Sequence, residues 1–184
     1  TFSQSNVGTG LTATVNSITL TGDDAGNYTI SSGQTDTADI TQKALGYTVD
    51  ASNKTYDGTT TATVTLTLSG VVGSDSVSST NGATFSQSDV STGLTATVNS
   101  ITLTGDDADN YSIASGQTDT GDITAKTLTA TADAADKTYD GTTTATVTLT
   151  LSGVVGSDSV SSTNGATFSQ SNVGTGLTAT VNSI

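Results

Sequence analysis

The chain has no cysteine, histidine, methionine, tryptophan or proline, and its 17 acids and 4 bases are all aspartate and all lysine. Without cysteine or histidine there is no thiol nucleophile, no disulfide, no zinc or haem ligation and no imidazole to move protons near neutral pH. Four lysines on a chain of formal net charge −13 cannot neutralise a phosphate backbone, so nucleic acid is not an expected partner. No apolar run approaches the roughly 20 residues with which a helix spans a bilayer, so this sequence predicts no membrane span. Aromatics are scarce, with five Tyr and three Phe in 184 residues.

Threonine and serine fill the space left by these absences, at 43 and 25 residues. Leu, Ile, Val and Phe total only 36, near the level at which a charged chain is expected to stay disordered. Pattern argues for folding. Thr61–Leu68 reads T-A-T-V-T-L-T-L, with Ala62, Val64, Leu66 and Leu68 on one face and four threonines on the other. Strict period-two alternation with β-branched polar residues outward marks a half-buried strand. Leu45, Tyr47, Val49 and Ala51 alternate likewise, matched by Leu128, Ala130, Ala132 and Ala134. Leu11, Ala13 and Val15 continue with a phase slip to Ile18 and Leu20, which predicts a β-bulge or bend near Asn16–Ser17.

The strongest internal signal is repetition. TFSQSNVGTGLTATVNSI opens the chain at Thr1, returns at Thr84 with two changes and recurs from Thr167, a spacing of 83 residues. Residues 1–83 and 84–166 differ at 13 positions, and 54–83 is identical to 137–166. Phasing the repeat at Lys43 and Lys126 predicts the later part of a unit at 1–42, a whole unit at 43–125 and the earlier part of the next at 126–184. Because Ile184 stops where Ile18 and Ile101 run on into TLTGDD, the expectation is a window cut from a longer tandem array. The joints TADITQKAL and TGDITAKTL hold no Gly/Ser run, which favours limited flexibility between neighbours.

Turn signals at Gly22-Asp23-Asp24, Asp57-Gly58, Gly73-Ser74-Asp75 and Asn81-Gly82 separate these runs. With Val71–Val77, Ala83–Phe85, Tyr28–Ile30 and Thr37–Ile40, they give about seven short strands per unit. No segment shows helical periodicity. The expected class is all-β, as tandem Ig-like antiparallel β-sandwich domains, with β-grasp-like units as the alternative. Asp24-Ala25-Gly26-Asn27-Tyr28, repeated as Asp107-Ala108-Asp109-Asn110-Tyr111, resembles a tyrosine corner, with Tyr28 and Tyr111 bonded back to the backbone; an Asp-rich turn before a core Tyr reads equally well.

Lys54–Val77 and Lys137–Val160 read KTYDGTTTATVTLTLSGVVGSDSV. This segment, followed by NVGTG, DAGNY and TADIT in order, resembles the YDG-type repeats of large bacterial surface adhesins of the filamentous-haemagglutinin-like and autotransporter kinds. The resemblance implies a secreted, cell-surface stalk module of an extracellular fibre or biofilm-type adhesin, and implies no catalytic residue. Its signature residues here are Tyr56, Asp57 and Gly58, repeated as Tyr139, Asp140 and Gly141, and each Tyr is expected to cap one end of the core. Gln42 and Ala125 stand where such repeats often carry proline.

Paired carboxylates at Asp23–Asp24 and Asp106–Asp107 invite comparison with a glycosidase acid and base, but neighbours on one turn do not converge across a sugar, so no enzyme is expected. Calcium is the better use for them, because turns supply carboxylate and carbonyl oxygens together. Asp106, Asp107 and Asp109, with Asp23 and Asp24, are weak calcium candidates; solvated turn acids that aid solubility are the plainer role. No other cofactor is expected. Lys54 and Lys137 raise the thought of an isopeptide bond to an Asn, and an exposed lysine beside a turn is the simpler reading. The expected function is a structural spacer that projects a binding region from the cell, with neighbouring repeats as its partners. The alternatives are self-association into a filament or matrix, or direct binding of a surface glycan.

Overall fold

A computed structural model describes residues 1–184. Fifteen strands and two single-turn 3₁₀ helices, Ala25–Asn27 and Ala108–Asn110, make up its regular structure. The strands are β1 (Gly8–Thr14), β2 (Thr35–Ile40), β3 (Lys43–Ala51), β4 (Lys54–Thr55), β5 (Thr61–Ala62), β6 (Val64–Ser69), β7 (Ser78–Phe85) and β8 (Ser91–Thr104). There follow β9 (Tyr111–Ile113), β10 (Thr118–Thr124), β11 (Thr129–Ala134), β12 (Thr144–Ala145), β13 (Val147–Ser152), β14 (Gly165–Phe168) and β15 (Ala179–Ser183). The chain is all-β, with sheets that fit a sandwich-like arrangement. It divides into two compact units, one of Thr1–Lys54, Thr60–Gln87 and Thr92–Asp122, the other of Thr55–Thr59, Ser88–Ser91 and Ile123–Ile184.

Alternation does what it predicts in the first unit. Ala62 and Val64 are buried, Leu66 and Leu68 half-buried, and the intervening threonines exposed. The run is not one strand, however. Ala62 pairs with Ala83 of β7, whereas Val64 pairs with Ala51 of β3. The chain crosses from one sheet to another at Thr63, so a single alternating pattern serves two sheets. One sheet has the order β4-β10-β8-β7-β5 and the other β6-β3-β9. Leu45, Tyr47, Ala83, Phe85, Leu94, Ala96, Val98 and Tyr111 are buried.

The bulge expected near Asn16–Ser17 forms instead at the counterpart Asn99; Asn16 itself lies outside any strand. In the β7–β8 ladder Ala83 faces Val98 but Gly82 faces Ser100, which leaves Asn99 as the extra residue. Its amide donates to Thr84 Oγ1 at 2.9 Å. The counterparts repeat this bond, Asn182 to Thr167 at 3.0 Å and Asn16 to Thr1 at 2.9 Å. A side chain that bonds across the ladder compensates the broken backbone pairing.

Three expectations need correction. Val71–Val77 is a loop rather than a strand, because Gly73 turns it at φ +53° and Val72 N–H is taken by a side chain described below. Tyr28–Ile30 is irregular, although its counterpart Tyr111–Ile113 forms β9. The pairing is also not wholly antiparallel: β3 and β9 run parallel, Lys43 against Tyr111 and Leu45 against Ile113.

In the second unit, Ala145, Val147 and Ala166 form a small core with Leu149, Phe168, Ala179 and Val181 around it. β11 pairs with β13 along its whole length, yet every residue of β11 is exposed. Ala130 and Ala132 stand where β3 has Tyr47 and Val49, and lack the bulk to cover that face.

Candidate functional site

The signature Tyr-Asp-Gly builds a turn. Asp140 Oδ1 accepts from Thr142 N–H at 2.9 Å and from Thr142 Oγ1 at 2.9 Å, and Lys137 Nζ lies 2.8 Å away. Asp57 makes the same two bonds to Thr59, at 2.9 and 2.8 Å. Gly58 and Gly141 sit between at φ +76° and +74°, the left-handed region that a Cβ disfavours. The three donors hold the Asp140 carboxyl at about 2, well below the usual carboxylate range; Lys137 is the largest cause, then Thr142. Lys137 Nζ also donates to the carbonyls of Thr142 and Thr144, both at 3.0 Å. Lys54 Nζ donates to Thr61 O at 3.0 Å. Both lysines thus tie the ends of their turns.

The tyrosines of the signature do not cap a core. Tyr139 is exposed and Tyr56 half-buried. Tyr56 O–H reaches Asp158 Oδ2 at 2.8 Å, and this bond raises the phenol's pKa.

Tyr111 is the buried one, 3% exposed against 69% for Tyr28. Its hydroxyl donates to Asp75 Oδ2 at 2.5 Å and accepts from Val72 N–H at 2.9 Å. Those partners lie 36 and 39 residues upstream, in the loop between β6 and β7. A tyrosine corner bonds to backbone a few residues away; this phenol instead pins a distant loop. Tyr28, at the same place in its own copy of the motif, is an exposed ring.

The 3₁₀ turns ahead of these tyrosines hold the calcium candidates. No three carboxylates gather in a metal-holding group. Asp107 Oδ2 accepts from Ser76 N–H at 2.8 Å, while Asp109 uses its carbonyl to accept from Gln42 Nε2 at 3.0 Å. Asp23, Asp24, Asp106 and Asp109 are exposed.

The aspartates near the joints, which the calcium reading of the sequence also takes in, prove to be backbone staples. Asp122 Oδ1 accepts from Gly93 N–H at 2.8 Å, and Asp39 Oδ1 from Gly10 N–H at 2.8 Å. Asp119 Oδ2 accepts from Ala51 N–H at 2.9 Å, and this donor, followed by Thr120 N–H, lowers its pKa. A short carboxylate reaches backbone amides that a Glu would overshoot, which gives the all-Asp acid content a structural use. The signal that could have found them is recurrence at 83 residues.

A groove of about 600 Å³ lies in the second unit, lined by Ala134, Asp136, Tyr139, Phe168, Gly176 and Leu177 among others.

Strand pairing, bulge and Asp staples recurring at one period define a tandem all-β repeat protein. The chain belongs to the YDG domain family, whose model matches residues 1–38, 41–120 and 124–184. No curated protein and no solved structure matches it.

Proposed function

We propose that these repeats are a structural spacer, a stalk of a secreted bacterial adhesin or extracellular fibre that holds a binding region away from the cell surface. The observation that carries this reading is the use of the polar side chains. Asp39, Asp57, Asp75, Asp107, Asp119, Asp122, Asp140 and Asp158 all bond to groups of the fold itself. Side chains consumed in this way stabilise a bead and leave little to recognise a substrate. Outward threonine rows and uniform negative charge oppose edge-to-edge aggregation of neighbouring copies. The partners of the spacer are the repeats on either side of it, and its mechanism is mechanical, with no catalytic group or cofactor.

Small-angle X-ray scattering on chains of increasing repeat number, in calcium and in chelator, tests the proposal. A rod whose length grows in proportion to repeat number in both conditions is the expected result. A compact particle, or length independent of repeat number, overturns it. Stiffening only in calcium would bring the turn aspartates back as a metal site.

A further inference from the structure

Strand pairing sets the signature turn where one repeat passes into the next. β4 (Lys54–Thr55) pairs with β10, the last strand of its repeat, and Tyr56 N–H donates to Thr124 O at 2.8 Å. Thr124 stands two positions before Lys126, the first residue of the following repeat. The Tyr-Asp-Gly turn therefore emerges at the trailing end of its own repeat.

There it meets a loop of the following repeat. Tyr56 O–H donates to Asp158 Oδ2 at 2.8 Å, and a Cβ built on Gly58 would lie 3.1 Å from Val155 Cγ1. Both partners belong to the GVVGSDS loop at 153–159, whose counterpart at 70–76 holds Val72 and Asp75. Thr55–Thr59 and Ser88–Ser91 accordingly group with Ile123–Ile184 rather than with the rest of their own repeat.

The preceding joint, between residues 1–42 and 43–125, shows the rest of the interface. Val7 N–H donates to Asn110 Oδ1 at 2.9 Å, Asn110 Nδ2 to Asn6 Oδ1 at 3.4 Å, and Gln42 Nε2 to Asp109 O at 3.0 Å. Asn6 and Val7 correspond to Asp89 and Val90, which lie in the segment Ser88–Ser91 just described. The 3₁₀ turn that receives Asn6 and Val7 is itself bonded to the GVVGSDS loop. Ser76 N–H donates to Asp107 Oδ2 at 2.8 Å, and Asp107 N–H to Ser76 O at 3.3 Å. Turn and loop are one receiving face, and the trailing end of a repeat offers it two segments.

We propose that the Tyr-Asp-Gly turn is the docking element between successive repeats. Its phenol bonds the Asp75-type carboxylate of the next repeat, while the Asn6–Val7-type loop bonds that repeat's Asn110-type amide. The partner is the next copy of the repeat in the same chain. The dock rests on the spacer reading for its purpose, a joint stiffer than its short linker alone, and on contacts across two joints for its existence. One carboxylate serves two phenols. Asp75 Oδ2 accepts from Tyr111 of its own repeat, and Asp158 Oδ2 from Tyr56 of the preceding one. Two carboxylate oxygens offer about four acceptor sites, so both bonds fit on one aspartate. Asp89 in place of Asn6 still accepts from an amide, so either version of the loop suits the face.

A double-mutant cycle read by urea unfolding tests the dock. It is run on the 184-residue chain and on a chain lengthened by one repeat, in which Asp158 also has the tyrosine of its own repeat. Tyr56→Phe and Asp158→Ala should each lower the unfolding midpoint. In both chains Asp158→Ala should cost less in the Tyr56→Phe background than in wild type. In the 184-residue chain Gly58→Ala and Gly141→Ala share a left-handed backbone, φ +76° and +74°, but a Cβ on Gly141 meets only Tyr139 Oη, at 3.9 Å. Gly58→Ala should lower the midpoint further than Gly141→Ala. Additive costs in either chain overturn the dock, as do equal losses from the two glycine variants. Additive costs in chains that still scatter as rods overturn the dock alone; compact particles with a coupled cycle overturn the spacer alone.

Discussion

The phenol of Tyr111 and the carboxylate of Asp75 meet at 2.5 Å across 36 residues of sequence, with Val72 N–H completing the phenol's bonds. The pair joins the start of β9 to the loop between β6 and β7, so one hydroxyl fixes a long-range closure. Tyr111→Phe keeps the ring and removes the hydroxyl, stranding both Val72 N–H and Asp75. For a unit of this size a loss of one such closure lowers Tm by roughly 4–8 °C. Tyr28→Phe, on an exposed ring, should leave Tm unchanged, and differential scanning of the two variants checks the contrast.

The same pair imposes an alkaline limit. The hydrogen bond to Asp75, followed by burial, raises the Tyr111 pKa above 10.0. A raised folded-state pKa means that the unfolded phenol ionises first, so its contribution is whole below pH 10 and fades as pH climbs through the folded value. Denaturant titrations at rising pH should show wild type losing stability more steeply than Tyr111→Phe.

At the other end of the scale, Asp140 has its pKa depressed to about 2 by Lys137 and Thr142. A depressed folded-state pKa gives stability that is present above the unfolded value and lost as pH falls through the folded one. The window is therefore from about 4 down to about 2. Asp140→Asn should flatten the acid limb of the stability profile in that window and lower stability at neutral pH by the same amount, which solvent screening keeps small.

Gly22 and Gly105 share a motif and a conformation, φ +115° and +112°, yet differ in surroundings. A Cβ on Gly105 would lie 2.2 Å from Ser76 O, whereas one on Gly22 meets nothing within 4 Å. Gly22→Ala should cost about 1 kcal/mol for the left-handed backbone alone. Gly105→Ala must also displace the Ser76 backbone and the Ser76–Asp107 bond, and should cost on the order of 3 kcal/mol. Urea unfolding of both variants checks the ranking.

Tyr47 offers a gain. Its side chain is buried, and its hydroxyl has no hydrogen-bond partner. Leaving a buried hydroxyl unpaired costs about 1–3 kcal/mol, so Tyr47→Phe should stabilise the chain by about 1 kcal/mol in equilibrium unfolding. Unchanged or reduced stability would mean that the hydroxyl is satisfied in solution.

Much of this architecture was open to reading from residues alone. Alternation at Thr61–Leu68 gave the buried face, the phase slip in the repeat gave the bulge that forms at Asn99 though not at Asn16, and Asp57-Gly58 gave the turn. Each is a local rule, in which a residue's own backbone preference or its neighbour two positions away decides the outcome. The 83-residue period likewise needs no coordinates. The tertiary structure alone decided which copies of a motif are used. Tyr111 is buried against the loop that holds Asp75 and Val72, while Tyr28, in a near-identical motif, is exposed. TDTGDIT lies inside a five-stranded sheet, with Gly121 and Ile123 buried, while TDTADIT pairs with β1 in a two-stranded sheet. Near-identical sequence cannot distinguish these cases, because a strand's hydrogen bonds and most of its burial belong to partners distant along the chain.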